Sequence, residues 1–568
     1  MKKPLLSELT LREKIGQMLL PYQYDVYYAD TGTYPDNMRT DEEVKEYIEK
    51  EQFGTYYMEQ TAIHKIQHPD LTETAKSGVT SAPYKEFVKK QIKYGKIPAL
   101  TGGDYETEGA GHVFSDLSVT CRTPAIGAAD SEELTYELAR SIAKELRTAG
   151  INWRWAPCVD IGGRYSSSIM RVPCSDDVDR LIKLTIAQIR GTQDEGVVAT
   201  AKHFPGGGYR YEARDSHFCP SANPLSLEDW WAEQGKIFQA VIDAGVYSIM
   251  ISHKSFPAVD DSMLKGKYRP ATASKKVITD LLKNEMGFKG VVITDGLVMA
   301  GLIGCFDTYE DLIIDVVNAG NDCLLAVYPG AGDIIENAVK DGRIPESRID
   351  DACQRMLDLK EKIGLFKEGY WDPPYTAEEV VPQTREINRQ IAKRAITKVC
   401  DRQNLLPVDK SKVKNVTIVC STHVDRFFDD LQCMKKCFED RGIHVRLQRR
   451  VSSDKEMQQI DETSDLIIFA AYVAPHQPKG FMTLYDEECN TYLYAFSKGR
   501  EKSIGVSMGY PHMHFEIMGN ADTFINTYGT APELMEAFVA GIFGEIPIVG
   551  NSPVQLYPDH IIRRADAE

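Results

Sequence analysis

Residues 287–299 read GFKGVVITDGLVM, a short and mainly apolar run that ends in an aspartate. The stretch VVIT (291–294) has the length and the β-branched content of a buried strand in a parallel sheet, whose strands are apolar on both faces. Asp295 follows this run directly. The segment therefore predicts a parallel strand that carries a carboxylate at its C-terminal end.

Similar apolar runs recur along the first two thirds of the chain, separated by amphipathic stretches of helical length. Alternating strands and helices are typical of βαβ units, and eight such units predict a closed (β/α)₈ barrel of the TIM type within an α/β chain. The eight runs are IGQMLL (15–20), FGTYYME (53–59), IPALTG (97–102), INWRWAP (151–157), VVATAKH (197–203), VYSIMISH (246–253), GVVITD (290–295) and DCLLAV (322–327).

A second, smaller domain is predicted by five further strand-like runs near the C-terminus, again separated by helical stretches. Pro, Gly and Tyr interrupt the helical pattern around residues 371–390. We therefore expect a barrel over 1–370, a linker over 371–390 and an α/β/α sandwich over 391–568. The five runs are VKNVTIVCS (413–421), HVRLQ (444–448), DLIIFAAY (465–472), KSIGVSMG (502–509) and DTFINTYG (522–529).

Composition limits the classes of partner. A net charge of −17 argues against nucleic acid and anionic membrane surfaces, which require clustered cations. No apolar run approaches the roughly 20 residues that span a bilayer. The first residues lack the apolar core of a signal peptide, and the 12 cysteines contain no C-x-x-C pair. We expect a cytoplasmic protein that binds a small neutral molecule; a homodimer stays open.

Polar side chains end several of the predicted strands. They are Asp104, Asp160, the pair Lys202 and His203, His253 and Asp295. In a (β/α)₈ barrel the C-terminal strand ends surround one pocket, so we expect these residues to line it. Convergent donors and acceptors of this kind suit a carbohydrate, and Arg171, in the loop after the fourth strand, is a further candidate.

The loop KHFPGGGYRYEARDSH (202–217) adds an Asp–His pair to this pocket. A strand-end carboxylate such as Asp295 can attack the anomeric carbon of a sugar, and a second group must then protonate the leaving oxygen. His217 can serve as that acid and later as a base, with Asp215 orienting its ring. Lys202 and His203 would hydrogen-bond sugar hydroxyls.

The two motifs resemble glycoside hydrolase family 3, in particular its β-N-acetylhexosaminidase branch. The resemblance rests on KHFPGGG followed by DSH, and on RPATASKKVITDLLKNEMGFKGVVITDGLVM (269–299). It implies a retaining, exo-acting β-glycosidase with Asp295 as nucleophile and the Asp215/His217 dyad as acid/base. It also implies sugar-binding roles for Asp104, Arg171, Lys202 and His203.

Several alternatives stay open at this point. The chain could be a β-glucosidase or β-xylosidase of the same family, a phosphorylase in which phosphate attacks the glycosyl-enzyme, or a sugar-binding protein without catalysis. No cofactor is expected, because the glycine run lacks nucleotide-binding spacing. No metal is expected either, because His512 and His514 have no third ligand placed by spacing.

Overall fold

The computed structural model describes residues 1–22, 39–58, 80–106, 109–161, 174–206, 214, 216–421, 425–473 and 486–557. The chain divides into two compact units. The first takes in residues 1–118, 136–161 and 185–384, and the second takes in 119–135, 162–184 and 385–568. Most of segment 371–390 lies in the helix Ala377–Ala395. The boundaries drawn from the sequence, 1–370 and 391–568, stay predictions.

The first unit contains eight parallel strands and an added hairpin. In chain order the strands are β1 (Leu19–Leu20), β2 (Thr55–Tyr57), β3 (Leu100–Gly103), β4 (Trp153–Arg154), β5 (Val198–Phe204), β6 (Ser248–Ile251), the hairpin β7 (Met263–Leu264) and β8 (Lys267–Tyr268), β9 (Val291–Thr294) and β10 (Leu324–Leu325). The hairpin lies between the sixth and seventh parallel strands and was not predicted.

The eight parallel strands close into a ring. One sheet has the order β2-β3-β4-β5-β6-β9, and β1 pairs with β10. Parallel bridges join Tyr22 to Tyr57 and Ile293 to Cys323, which connects these two sheets at both edges. The predicted (β/α)₈ barrel is therefore confirmed, with all eight strand positions.

A helix follows each parallel strand, as the amphipathic stretches between the strands predict. These helices are Asp41–Glu51, Ala82–Tyr94, Glu132–Thr148, Val178–Asp194, Lys236–Asp243, Lys276–Glu285, Tyr309–Ala319 and Ala331–Lys340, and Glu346–Lys362 follows the last of them. Among the described residues no helix is both long and apolar enough to cross a membrane.

The first strand is shorter than the run IGQMLL suggests. Residues Leu11–Met18 form a helix, and only Leu19 and Leu20 are extended. The helix begins with a capping box, in which the Thr10 hydroxyl accepts from the Glu13 backbone N–H and the Glu13 carboxylate accepts from the Thr10 backbone N–H. This local cap at the N-terminus outweighs the apolar, strand-like character of the segment.

Alternate residues of the strands fill the barrel interior. Val291 and Ile293, like Cys323 and the other inward-facing strand residues, are buried in one apolar cluster. Trp153 and Trp155 both belong to this cluster because they lie two residues apart on the same side of their strand. Tyr57 packs against the same cluster, whereas its neighbour Tyr56 lies outside it.

The second unit contains a six-stranded sheet. Its strands are β11 (Thr397–Asp401), β12 (Asn415–Ser421), β13 (His444–Gln448), β14 (Leu466–Ala471), β15 (Ser503–Ser507) and β16 (Thr523–Asn526), in the order β11-β16-β15-β14-β12-β13. The five predicted strands are present and parallel. The edge strand β11 is antiparallel and was missed, because its residues are mostly half-exposed and lack an apolar run.

Helices of the second unit connect these strands. They are Asp425–Glu439, Asp454–Thr463, Asp486–Tyr494, Met513–Glu516 and Pro532–Ile542. Apolar side chains such as Phe469, Ile467 and Phe524 form a core between the sheet and its helices. A parallel sheet that is apolar on both faces needs helices on both faces, which is the α/β/α arrangement expected from the sequence.

One buried cation makes the stability of the first unit sensitive to pH. Lys360, on the helix Glu346–Lys362, is fully buried and its Nζ donates to Gln17 Oε1 at 2.5 Å. Burial lowers the pKa of Lys360 to about 7, against opposing effects of Cys353 and Cys323. Because the native state holds this proton more weakly than the unfolded state does, protonation of Lys360 disfavours folding.

We expect the free energy of unfolding to rise with pH between about 7 and 10.5, where unfolded Lys360 still carries the proton that the native residue has released. In Lys360→Met this rise should be absent. The free energy of unfolding of the variant should exceed that of the parent by the largest amount at or below pH 7. Denaturant unfolding at several pH values measures it. Lys340→Met, at an exposed helical position, is the control; parallel pH curves for Lys360→Met and the parent would contradict the assignment.

Candidate active site

The C-terminal end of β5 brings two polar side chains to the barrel mouth. Lys202 pairs with Met250 of β6 and Phe204 with Ile251, so His203 is an extra residue in the register. In a regular strand neighbouring side chains point to opposite faces, and such an irregularity re-aims one of them. Cis peptide bonds join Lys202 to His203 and Phe204 to Pro205. Both Lys202 and His203 consequently contact residues from other strand ends.

Lys202 is held between two carboxylates. Its Nζ donates to Asp104 Oδ1 at 2.6 Å and also contacts Glu106 Oε1. Burial would lower the pKa of Lys202, but the charges of Asp104 and Glu106 outweigh it and raise the pKa. Lys202 is 2% exposed whereas the Asp104 side chain is 37% exposed. Asp104 is thus the member of this group that a ligand can reach, and Tyr57 also donates to it, at 3.3 Å.

His203 is braced by a second carboxylate. Its Nδ1 lies 2.7 Å from Asp160 Oδ2, and the Cys158 thiol donates to the same oxygen at 3.1 Å. Burial would lower the pKa of His203, but the charge of Asp160 raises it above the ordinary value. The other ring nitrogen, Nε2, lies 4.0 Å from Asp295 Oδ2. This imidazole therefore connects two carboxylates.

Asp295 follows β9 directly, as the sequence predicts. Its backbone N–H donates to Ile251 O at 3.0 Å, and its Oδ1 accepts from the Gly296 N–H at 2.7 Å. Burial alone would raise the pKa of Asp295. The charge of His203 is the largest effect that opposes burial, His253 and His217 act in the same direction, and the pKa of Asp295 lies below its ordinary value. The carboxylate is ionised at neutral pH although it is buried.

His253 lies beside Asp295 but is engaged by protein groups at both ring nitrogens. Nε2 lies 2.9 Å from Gly296 O, and Nδ1 lies 2.7 Å from Thr272 Oγ1. A carbonyl oxygen only accepts, so Nε2 carries the proton. Burial lowers the pKa of His253, and the ring is neutral. These contacts hold the turn after Asp295; the predicted sugar contact of His253 stays a prediction.

The start of the loop after β5 is anchored by close packing. Trp230 Nε1 donates to Pro205 O at 2.6 Å and Asn223 Nδ2 donates to Gly206 O at 3.2 Å. Gly206 has φ +94°, and a Cβ there would lie 2.2 Å from Gln234 Oε1. A glycine is therefore required at this position, the first of the three successive glycines.

His217 lies at the other end of this loop, in a turn packed on the segment that follows Asp295. The Gly301 N–H donates to His217 O at 3.4 Å, and a Cβ on Gly301 would lie 2.1 Å from Ser216 O. The side chain of His217 is half-buried, and its charge acts on Asp295. His217 and the carboxylate thus belong to one electrostatic group.

Two predicted residues, Arg171 and Asp215, lie outside the described residues. Glu106 was missed by the sequence reasoning, although it stands two residues after Asp104 in the same DYE triplet. The spacing could have indicated a second carboxylate at the same strand end. Cys158 was also missed, because a cysteine inside an apolar run is usually a core residue.

The histidines of the H-x-H motif serve the packing of the second unit. His512 Nδ1 lies 3.2 Å from Leu556 O, and His514 Nε2 lies 3.1 Å from Ala521 O. Tyr557 OH lies 2.7 Å from His514 Nδ1. Within the described part of the chain, three possible metal-ligating atoms lie close together at another place, one each from Cys158, Asp160 and His203.

The arrangement has a definite chemical capacity. An ionised carboxylate at the base of a cleft is a nucleophile, and a nearby imidazole can donate or accept a proton near neutral pH. Exposed Asp104 adds a hydrogen-bond acceptor that Lys202 keeps charged. These groups match the needs of substitution at a carbon that bears a protonatable leaving oxygen.

The chain is similar in sequence to several named proteins. A β-N-acetylglucosaminidase/β-glucosidase of Cellulomonas fimi is 27% identical over 487 residues, 81% of this chain and 83% of the relative. A β-hexosaminidase of Stenotrophomonas maltophilia is 34% identical over 46% of this chain and 72% of its own length.

Among solved structures, a family 3 β-N-acetylglucosaminidase from Paenibacillus sp. aligns with a TM-score of 0.76 at 25% identity, covering 96% of this chain and 99% of that one. A β-glucoside phosphorylase, BglX, has the same fold with a TM-score of 0.81 at 22% identity, covering 97% and 95%. The model of the glycosyl hydrolase family 3 N-terminal domain matches residues 10–359. The chain therefore belongs to glycosyl hydrolase family 3.

Proposed function

We propose that this glycosidase is a retaining, exo-acting β-N-acetylhexosaminidase that releases N-acetylglucosamine from non-reducing ends. Asp295 is the nucleophile, and His217, oriented by Asp215, is the acid/base. The single observation that carries the proposal is the lowered pKa of a buried Asp295, whose Oδ2 lies 4.0 Å from His203 Nε2 and on which His217 also acts. The ionised carboxylate is the form that attacks carbon.

The reaction has two steps. First, an Asp295 oxygen forms a bond to the anomeric carbon while the glycosidic bond breaks, and the leaving oxygen takes the proton of His217. The neutral imidazole then removes a proton from water, whose oxygen displaces Asp295 from the same carbon. Two inversions give net retention, and His217 ends the cycle protonated, as it began.

Asp104 and Lys202 have different parts in sugar binding under this proposal. The more exposed Asp104 carboxylate accepts from a sugar hydroxyl, while Lys202, nearly inaccessible, keeps that carboxylate charged and oriented. Charge-assisted hydrogen bonds of this kind are about twice as strong as neutral ones. His203, whose side chain is 21% exposed, presents its edge to the pocket beside Asp295.

The choice of an amino sugar rests on the DSH triplet at 215–217 and on the names of relatives. The Cellulomonas, Stenotrophomonas and Paenibacillus proteins are called β-N-acetylglucosaminidase or β-hexosaminidase. The first of them is also called a β-glucosidase. A β-glucosidase or β-xylosidase activity is therefore the nearest alternative, and a panel of aryl glycosides distinguishes the three.

Phosphorolysis is a second candidate. The neighbour BglX is called a β-glucoside phosphorylase and shares the fold over 97% of this chain. An imidazole acid/base that has given up its proton is neutral, whereas a carboxylate at the same place would be negative. Phosphate therefore meets less repulsion on its way to the glycosyl-enzyme.

Asp295→Asn should lower kcat on 4-nitrophenyl β-N-acetylglucosaminide by about 10³-fold or more, because an amide cannot form the covalent intermediate. Initial rates measure this. Asp260→Asn is the matched control, a buried aspartate of the same unit that accepts from Ser274 at 2.5 Å; it should keep its activity. Full turnover by Asp295→Asn would reject the nucleophile, and sugar binding by the parent without any turnover would favour a non-catalytic protein.

His217→Ala should lower kcat/KM about 10²–10⁴-fold on substrates whose leaving group needs a proton, such as a sugar alcohol. A 2,4-dinitrophenyl substrate needs no protonation, so its kcat/KM should stay close to that of the parent. Comparing the two substrates separates acid catalysis from misfolding, because a misfolded enzyme loses both activities. Equal losses on both substrates would remove His217 from the acid role.

Inorganic phosphate should yield N-acetylglucosamine 1-phosphate if the second candidate is correct, because phosphate would replace water in the second step. Phosphorus NMR of the reaction mixture detects the sugar phosphate directly. His217→Glu should reduce the ratio of sugar phosphate to free sugar, since the negative acid/base repels phosphate. Free sugar alone at every phosphate concentration would exclude phosphorolysis.

A further inference from the structure

The segment between β4 and Asp160 carries a thiol that the proposed reaction does not use. Cys158 forms a parallel bridge with Lys202, and the Val159 N–H donates to Lys202 O at 2.7 Å. These contacts fix the segment on the end of β5. Cys158 and Asp160 are both buried, and the His203 side chain beside them is 21% exposed.

Three different ligand atoms meet at this place. Asp160 Oδ2 lies 3.1 Å from Cys158 Sγ and 2.7 Å from His203 Nδ1, and the sulfur and nitrogen are 3.9 Å apart. Thiolate, imidazole and carboxylate are the ligands that Zn²⁺ takes in proteins, in tetrahedral sites that keep one position for water when three side chains bind. Softer thiolate ligands favour such cations over Mg²⁺ or Ca²⁺.

The separations suit a tetrahedral cation. Zinc–ligand lengths of about 2.0–2.3 Å imply ligand atoms roughly 3.3–3.6 Å apart. The observed distances of 2.7, 3.1 and 3.9 Å lie within about 0.6 Å of those values. Small side-chain rotations on fixed strand ends are sufficient to reach the bound geometry.

We infer that Cys158, Asp160 and His203 form an inhibitory site for a thiophilic divalent cation such as Zn²⁺. Binding forms bonds to Sγ, Oδ2 and Nδ1, releases both the thiol proton of Cys158 and the Nδ1 proton of His203 to solvent, and leaves the imidazole neutral with its proton on Nε2. The fourth position faces the exposed side of His203 and takes water.

Inhibition follows from what the cation displaces. Nδ1 of His203 can no longer donate to Asp160, so the ring loses the hydrogen bond that orients it, and the 2.7 Å separation of Nδ1 from Oδ2 widens to admit the cation. The neutral ring shifts toward the cation. Its Nε2, which lies 4.0 Å from Asp295 Oδ2 without the cation, shifts with it relative to the nucleophile. The net charge of the group is zero before and after binding, so inhibition follows from the displacement of the ring and not from a change of net charge.

The rival thiols lie in the second unit. Cys433 and Cys437 stand one turn apart on the helix Asp425–Glu439 and hydrogen-bond to each other. Among the described residues this pair has no third ligand within reach. Two thiols alone form a weaker site for Zn²⁺ than three convergent ligands. Cys433→Ser is therefore the matched control for Cys158→Ser.

The test combines metal binding with inhibition. Titration of the full-length protein with Co²⁺ should give a thiolate-to-cobalt charge-transfer band that Cys158→Ser loses and Cys433→Ser keeps. With Zn²⁺, the concentration for half-inhibition should rise at least about 10-fold in Cys158→Ser, each variant being measured against its own metal-free rate. Chelation should restore activity in the parent. Cys158→Ala provides a second variant in case the serine impairs folding.

Two results would overturn the inference: equal Zn²⁺ sensitivity of Cys158→Ser and the parent, or a cobalt band that disappears in Cys433→Ser instead. The inhibition arm depends on the proposed function, whereas the cobalt spectrum does not. A protein inactive on every glycoside but with a Cys158-dependent band would reject the proposed function and keep the metal site.

Discussion

The ionised state of Asp295 depends on the imidazole rings around it. A carboxylate taken out of water loses hydration, which would favour its neutral form and abolish its nucleophilicity. The charge of His203 is the largest effect that offsets this cost, His253 and His217 act in the same direction, and the Gly296 N–H adds a hydrogen bond. Each ring is in turn held by its own contacts, so the reactivity of one oxygen rests on packing at several strand ends.

The contacts that hold Lys202 and His203 at the end of β5 form two separate groups. Asp160 holds His203, and Asp104 with Glu106 holds Lys202, yet Lys202 and His203 are neighbours on β5. The register irregularity at His203 allows adjacent residues to serve both groups. Lys202 and His203 each have a carboxylate partner, which avoids the large cost of an unpaired buried charge.

Sequence reasoning predicted the barrel because each apolar run marks a strand and every parallel strand needs a crossover helix. It also placed Asp104, Lys202, His203 and Asp295 at strand ends, since their positions follow from strand length alone. One limit was a local signal that was overlooked, and another was a contact that no local pattern encodes. Recognition of the Thr10–Glu13 cap would have corrected β1. The pairing of Lys202 with Glu106 depends on the path of the chain after β3, which no periodicity specifies.

The three imidazoles around Asp295 cannot all be charged together, because each charge disfavours the next. The charges of His217 and His203 contribute to the lowered pKa of His253, and burial acts in the same direction. His253 is therefore the neutral member, with its ring nitrogens committed to Thr272 and Gly296. His203 has Asp160 to stabilise its charge, which His253 lacks. The described residues thus separate a neutral ring, His253, from a ring whose charge a neighbouring carboxylate stabilises, His203.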